Sequence, residues 1–172
     1  MTATPSNRRI ACIAGLVFFL DQFTKWGVLK YLGYTDEKII VPGFFKFVHW
    51  VNTGAAWSLF HDRNGLLAVV AIVALVVLYT ARHHFGAGTT GGQLALGLIF
   101  GGIGGNLFDR LLPSRHHVVD FIRFYVNRAD GREVGFPAFN IADSAICVGV
   151  GLIFLLNWKT SKPAEASTAV EK

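Results

Sequence analysis

Two isolated aspartates stand in apolar surroundings. Asp120 lies in Val118-Val119-Asp120-Phe121, and Asp143 in Phe139-Asn140-Ile141-Ala142-Asp143-Ser144. An ionisable group inside an apolar, bilayer-length stretch such as Ala138 to Trp158 is costly and by default marks function. The plainer reading of Asp143 is an acid at a helix start, favoured by the positive end of the dipole. Brought together, two carboxylates cannot both ionise comfortably, so they share a proton and one apparent pKa rises. The ionised member can then take a proton from water. The other polarises a carbonyl and protonates the leaving amine. Pro137 suits the first position of a helix, which predicts a span from Ala138. On that helix Asn140 and Asp143 share a face, and Asp143 lies roughly 8 Å from the start at 1.5 Å rise per residue.

The elements that must position these groups are mostly apolar. With 172 residues the chain has room for one domain; 52% of them are hydrophobic and only 16% charged. Together with a mean hydropathy of +0.45, this points to a membrane protein rather than a soluble one. The net charge of +5 is spread over helix ends and loops. It fits lipid headgroups rather than nucleic acid, which requires clustered basic residues. Hydropathy predicts spans at 9–32, 65–82, 93–112 and 138–158. They form a single membrane domain, 9–158, between a loose tail, 1–8, and a disordered tail, 159–172. Cys12 and Cys147 lie in apolar stretches and read as buried free thiols.

Between the spans, two irregular regions fall on one side, 33–64 and 113–137. Ile39-Ile40-Val41-Pro42-Gly43 and Phe44 to Val51 are β-branched and aromatic with a turn signal between them, which predicts an interfacial hairpin. His116 to Ile122 reads as a short strand and Asn127 to Glu133 as an exposed charged turn. The segment Gly86 to Gly92 reads as a flexible connection. In the third span Gly97, Gly101 and Gly105 recur every four residues, a ridge that lets a helix approach closely. A second row, Gly102, Asn106 and Arg110, runs beside it. Asp109 and Arg110 either cap this helix or join the polar end of its rows. Asp21 and Lys25, four apart, are either an ion pair within one helix or part of a bundle interior. Lys and Arg fall on both sides, so a bare count does not orient the chain, although Arg8 and Arg9 favour cytoplasmic termini.

Two other function classes compete on the residues alone. One is a proton-coupled carrier using Asp21, Asp109, Asp120 and Asp143 as a relay. Four spans are few for that, and the acids cluster at one end. The other is a metalloprotease using His116, His117 and Asp120, disfavoured because adjacent strand residues point apart.

Five motifs occur in order: Asp21-Gln22-Phe23-Thr24-Lys25, Asn52-Thr53-Gly54-Ala55-Ala56, Gly101-Gly102-Ile103-Gly104-Gly105-Asn106-Leu107-Phe108-Asp109-Arg110, Val118-Val119-Asp120-Phe121 and Phe139-Asn140-Ile141-Ala142-Asp143-Ser144. The series resembles the bacterial lipoprotein signal peptidase (signal peptidase II) family over residues 9 to 158. The resemblance implies a helical membrane aspartyl endopeptidase with four spans and a small extracytoplasmic β-rich cradle. It implies both termini in the cytoplasm of a bacterial inner membrane, and a monomer needing neither metal nor other cofactor. The substrates implied are diacylglyceryl-modified prolipoproteins, cut on the N-terminal side of the lipidated cysteine, with membrane lipids as further partners. The catalytic pair falls on Asp120 and Asp143. Asn52, Gly54, Asn106, Arg110 and Asn140 match site-lining positions, and Asp21, Lys25 and Asp109 match supporting ones. Trp57 departs from the usual phenylalanine, and the turn 127–133 is more charged than the family leads one to expect.

Overall fold

A computed structural model describes residues 7–54 and 62–160 of the chain. Four helices and four strands alternate as α1 (Asn7–Tyr31), β1 (Glu37–Val41), β2 (Phe45–Asn52), α2 (Asn64–Thr80), α3 (Thr90–Leu111), β3 (Val118–Asn127), β4 (Glu133–Gly135) and α4 (Ile141–Thr160). Helices α1, α3 and α4 are long and apolar enough to cross a membrane, whereas α2 is apolar but shorter at 17 residues. Many of their large side chains point outward, among them Phe19, Phe23, Val69, Val73 and Phe154, all more than half exposed. Such a surface matches hydrocarbon rather than water.

Helix α3 is the axis of the bundle. Half of its most apolar stretch is buried inside the protein, against 17% for α1 and α4. The glycines of its two rows explain why. A Cβ on Gly97 would lie 2.6 Å from the Ile13 Cβ, and one on Gly101 2.6 Å from the Val17 Cβ, so the first row seats α1. A Cβ on Gly102 would lie 2.5 Å from the Ala142 carbonyl oxygen, and Gly149 of α4 meets Ile99 and Ala95 in return. The second row therefore seats α4. Glycine costs about 1 kcal/mol at each such position, offset here by backbone approaches that no Cβ permits.

The strands form one antiparallel sheet in the order β1-β2-β3-β4. The β1–β2 hairpin turns at Gly43 with φ 72°, a left-handed conformation that glycine adopts without steric cost. Lys46 on β2, 1% exposed, ion-pairs with Glu37 and Glu133 and so ties both edge strands to the centre.

Several boundaries differ from the sequence expectations. α3 begins at Thr90 rather than 93, because the Thr89 side chain caps it by accepting from the Gly92 N–H at 3.0 Å. The glycine segment before it is no loose linker: Gly86 holds φ 73° and Gly92 packs directly on its backbone. β3 extends over ten residues, and His116 and His117 precede it. Cys12 and Cys147 are free but exposed rather than buried, being on outward faces of their helices.

α4 differs most, for it starts at Ile141 and not at Ala138. Phe139 instead pairs with Ile122 of β3, donating to its carbonyl at 3.0 Å and accepting from its N–H at 2.9 Å. Backbone groups engaged by a strand cannot also open a helix. Pro137 therefore lies in an extended lead-in, and Asn140 outside the helix rather than on a face shared with Asp143.

Candidate active site

Asn140 is the hinge of the site. Its side-chain oxygen accepts from the Asp143 N–H at 2.9 Å, while its own N–H donates to Asp143 Oδ2 at 3.2 Å. This is a reciprocal capping box with Asn and Asp in the two roles. Asp143 is thus both a helix-start acid, as its plainer reading held, and a member of the carboxylate cluster. The side-chain amide of Asn140 donates in turn to Asp120 Oδ1 at 2.8 Å. One fully buried residue therefore holds both aspartates, by its backbone and its side chain.

Register brings the next partner. Trp50 stands opposite Asp120 in the β2–β3 pairing, so Asn52, two residues along β2, lies diagonally across the same face. Its Nδ2 donates to Asp120 Oδ2 at 2.8 Å, and its oxygen accepts from the Gly54 N–H at 2.9 Å. From α3, Asn106 donates to Asp143 Oδ1 at 2.7 Å. One turn further on, Arg110 Nη2 reaches the Gly54 carbonyl at 2.9 Å. The segment 55–61, which includes Trp57, lies outside the described residues.

Asp120 is 4% exposed. Burial, then the nearby negative charge of Asp143, push its carboxyl up to about 7, against the two amide donors and Lys25, which favour the charged form. A carboxyl that keeps its proton near neutral pH can serve as an acid there.

Beneath the aspartates lies a buried charged layer. Lys25 Nζ sits 2.8 Å from Asp21 and 2.7 Å from Asp109, with all three side chains fully buried. The two readings of Asp21 and Lys25 merge, because the i,i+4 pair within α1 extends to α3. Asp21 also accepts from the Ala142 N–H at 3.0 Å, capping α4 from another helix. Lys25 then donates to Asn106 at 2.9 Å and so touches the residue that holds Asp143. Asp109 is buried here rather than capping its helix at a surface.

All ten sequence candidates fall at this end of the bundle. Sequence reasoning gave no role to Gln22, which donates to Asp21 and Asp109, or to Arg115, which ion-pairs with Asp109. Gln22 sits inside a motif and was findable; Arg115, in the α3–β3 connection, carried no signal. His116 and His117 lie outside the carboxylate cluster. Among the described residues no three His, Cys, Asp or Glu side chains are grouped to hold a metal ion.

A bundle of apolar helices carrying at one end two aspartates hydrogen-bonded to one asparagine has the architecture of a membrane aspartic protease. The comparisons with known proteins narrow the class. A family model described as signal peptidase (SPase) II matches residues 13–159. The lipoprotein signal peptidase of Neisseria gonorrhoeae is 37% identical over 162 residues, spanning 91% of this chain and 93% of that one. That of Symbiobacterium thermophilum is 41% identical over 146 residues, 83% and 90% of the two chains. A bacterial membrane enzyme solved by the in meso method superposes with a TM-score of 0.77 at 30% identity, covering 99% of both chains. The chain belongs to the signal peptidase II family.

Proposed function

We propose that this protein removes signal peptides from diacylglyceryl-modified prolipoproteins, cutting on the N-terminal side of the lipidated cysteine, with Asp120 and Asp143 as the catalytic pair. The observation that carries this reading is the attachment of both aspartates to Asn140, combined with an Asp120 carboxyl held near 7. Asp120 is the protonated member and Asp143 the base. Water gives a proton to Asp143 and attacks the scissile carbonyl, which Asp120 polarises; the leaving amine then takes a proton from the pair. Asn52 and Asn106 hold the carboxylates in line. Arg110, anchored on Gly54, supports the backbone at the edge of the site.

Residues 9–158 act as a single membrane domain with four spans, both termini in the cytoplasm of a bacterial inner membrane and the sheet as an extracytoplasmic cradle. Arg8 and Arg9 in the first turn of α1 favour this orientation. A 17-residue α2 covers about 26 Å at 1.5 Å per residue, against about 30 Å of hydrocarbon, a shortfall that local bilayer thinning accommodates. The enzyme works as a monomer among membrane lipids, without metal.

The test is cleavage of a lipidated prolipoprotein by purified protein, followed by its mobility shift. Asp120→Asn and Asp143→Asn should each reduce the rate by at least about 1,000-fold, within the range for loss of a general acid or base, while thermal unfolding in detergent stays close to that of the parent. Substantial activity in either variant removes that residue from the mechanism, and inhibition by a chelator points to a metal instead.

A further inference from the structure

On the opposite face of the sheet from the aspartates lies an open cleft of about 430 Å³, lined by Leu29, Tyr34, His49, Val51, Leu112, Ser114, Arg115 and His117. Val51 alternates with Trp50 and Asn52 along β2, so it faces away from Asn52 and Asp120. Neither aspartate lines this cleft, nor does Asn106, Arg110 or Asn140. Its volume falls within the range of small-molecule sites.

The wall has two characters. Leu29 at the end of α1, Val51, and Leu112 just past α3 make an apolar floor where two long apolar helices end. Arg115, His49, His117 and Tyr34 bring cationic and hydrogen-bonding groups around it. We propose that the cleft binds a phosphate group carried on an amphiphile, with Arg115 and the two imidazoles on the phosphate and the apolar floor under its glycerol end.

Arg115 is preorganised for this role. Its Nη1 is fixed on Asp109 and Gln22, and a guanidinium carries five N–H donors in a rigid fork that suits phosphate oxygens. Holding a cation in place before the ligand arrives lowers the ordering cost of binding. His49 is also set: its Nδ1 lies 3.1 Å from the Leu32 carbonyl oxygen. A carbonyl can only accept, so Nδ1 carries the hydrogen. The Tyr34 ring stands edge-on to His49 at 5.8 Å.

The charges nearest the cleft make binding depend on protons. Asp21 and Asp109 balance Lys25 and Arg115, so His117 must supply the extra positive charge. Burial holds the His117 imidazole below its ordinary value, a direction that Arg115 and His49 reinforce and that Asp109 and the Arg115 backbone oppose. A bound phosphate favours the His117 imidazolium, so binding takes up a proton and tightens as pH falls.

The experiment uses the full chain in nonionic detergent with ¹⁵N-labelled histidine. Dihexanoylphosphatidylglycerol, dihexanoylglycerol and inorganic phosphate are titrated in separate arms. The phospholipid should move the His49 and His117 ring signals, with affinity at least about tenfold tighter near pH 6 than near pH 8. His49→Gln with His117→Gln should weaken it at least about tenfold. So should Ser114→Glu at the exposed rim, which places a carboxylate beside the phosphate and keeps the test open if the double variant folds poorly. A response to phospholipid alone assigns the site to a headgroup, and an equal response to inorganic phosphate assigns it to the free ion. An equal response to dihexanoylglycerol, or no response of either histidine, overturns the proposal.

Discussion

At the scale of single residues, the site depends on which partners each buried ionisable group meets. Asp120 holds its proton up to about 7 because burial and the Asp143 charge outweigh its two amide donors. With Asp120 as the acid, kcat/KM should fall as pH rises through about 7, because a doubly ionised pair has no proton with which to polarise the scissile carbonyl. A pH–rate profile with no fall between about pH 6 and 8 would take that role from Asp120. The same shift bears on stability with a fixed sign. The native carboxyl binds its proton up to about 7 and the unfolded one only to about 3.8. Its contribution is thus fully present below about 3.8 and lost as pH rises to about 7. Lys25 presents the opposite case, a buried cation between two buried acids. Lys25→Met leaves Asp21 without an ionic partner and Asp109 with Arg115 alone, and should cost about 3–5 kcal/mol, the usual penalty for removing one partner of a buried pair. Unfolding of the variant in detergent measures it. A change below about 1 kcal/mol would mean the carboxylates find other partners.

At the scale of elements, the bundle is built on glycine. Gly101 and Gly105 lie against Val17 and Asp21 of α1, so a side chain there must push that helix away. Gly101→Leu and Gly105→Leu should each destabilise the protein by about 1–3 kcal/mol or more, as overpacking does. Gly15→Leu, at a position with nothing within 4 Å of its Cβ, should be tolerated and serves as the control. Unchanged unfolding temperatures for Gly101→Leu and Gly105→Leu would show that the contact yields without cost. The start of α4 is the other decisive element. Its first turn is capped from three sources, Asn140 ahead of it, Asp143 within it and Asp21 from α1. Asp143 therefore has little freedom to wander, as a positioned base requires.

At the scale of the whole molecule, the carboxylates sit at one end of the bundle. Asp143 is the third residue of α4, so it lies about 3 Å along the helix from Ile141 rather than the 8 Å of a span opening at Ala138. At that depth the proposed base would meet water without a channel through the membrane. A diacylglyceryl group stays in the bilayer and holds its cysteine at headgroup level, where the preceding signal helix also emerges. Lipidation then acts mainly by positioning, and unlipidated precursor should be cut at least about 100-fold more slowly, the scale of penalty for small misplacement. Equal cleavage of the two precursors would sink this account. Trp57→Glu should impair use of the lipidated precursor more than it impairs folding, read by the ratio of cleavage rate to unfolding temperature.

The sequence by itself determined what depends on neighbours in the chain. Apolar runs marked the helices, and β-branched and aromatic residues around Pro42-Gly43 marked a hairpin. A glycine every four residues marked one helical face, and five ordered motifs marked the family. Tertiary structure decided what depends on distant partners. Nothing local says that Gly101 faces α1 while Gly102 faces α4, because adjacent glycines have no side chain that marks a preferred neighbour. Nothing local stops a helix from opening at Pro137; pairing of Phe139 with Ile122, 17 positions away, uses up the backbone groups that a helix would need. That pairing places Asn140 where its side chain reaches Asp120 and its backbone reaches Asp143. Arg115 was invisible for the same reason, since its partner Asp109 is set by how the chain turns after α3. Periodicity and capping are written within a few residues, whereas which buried charge meets which is fixed only once helices and sheet have packed.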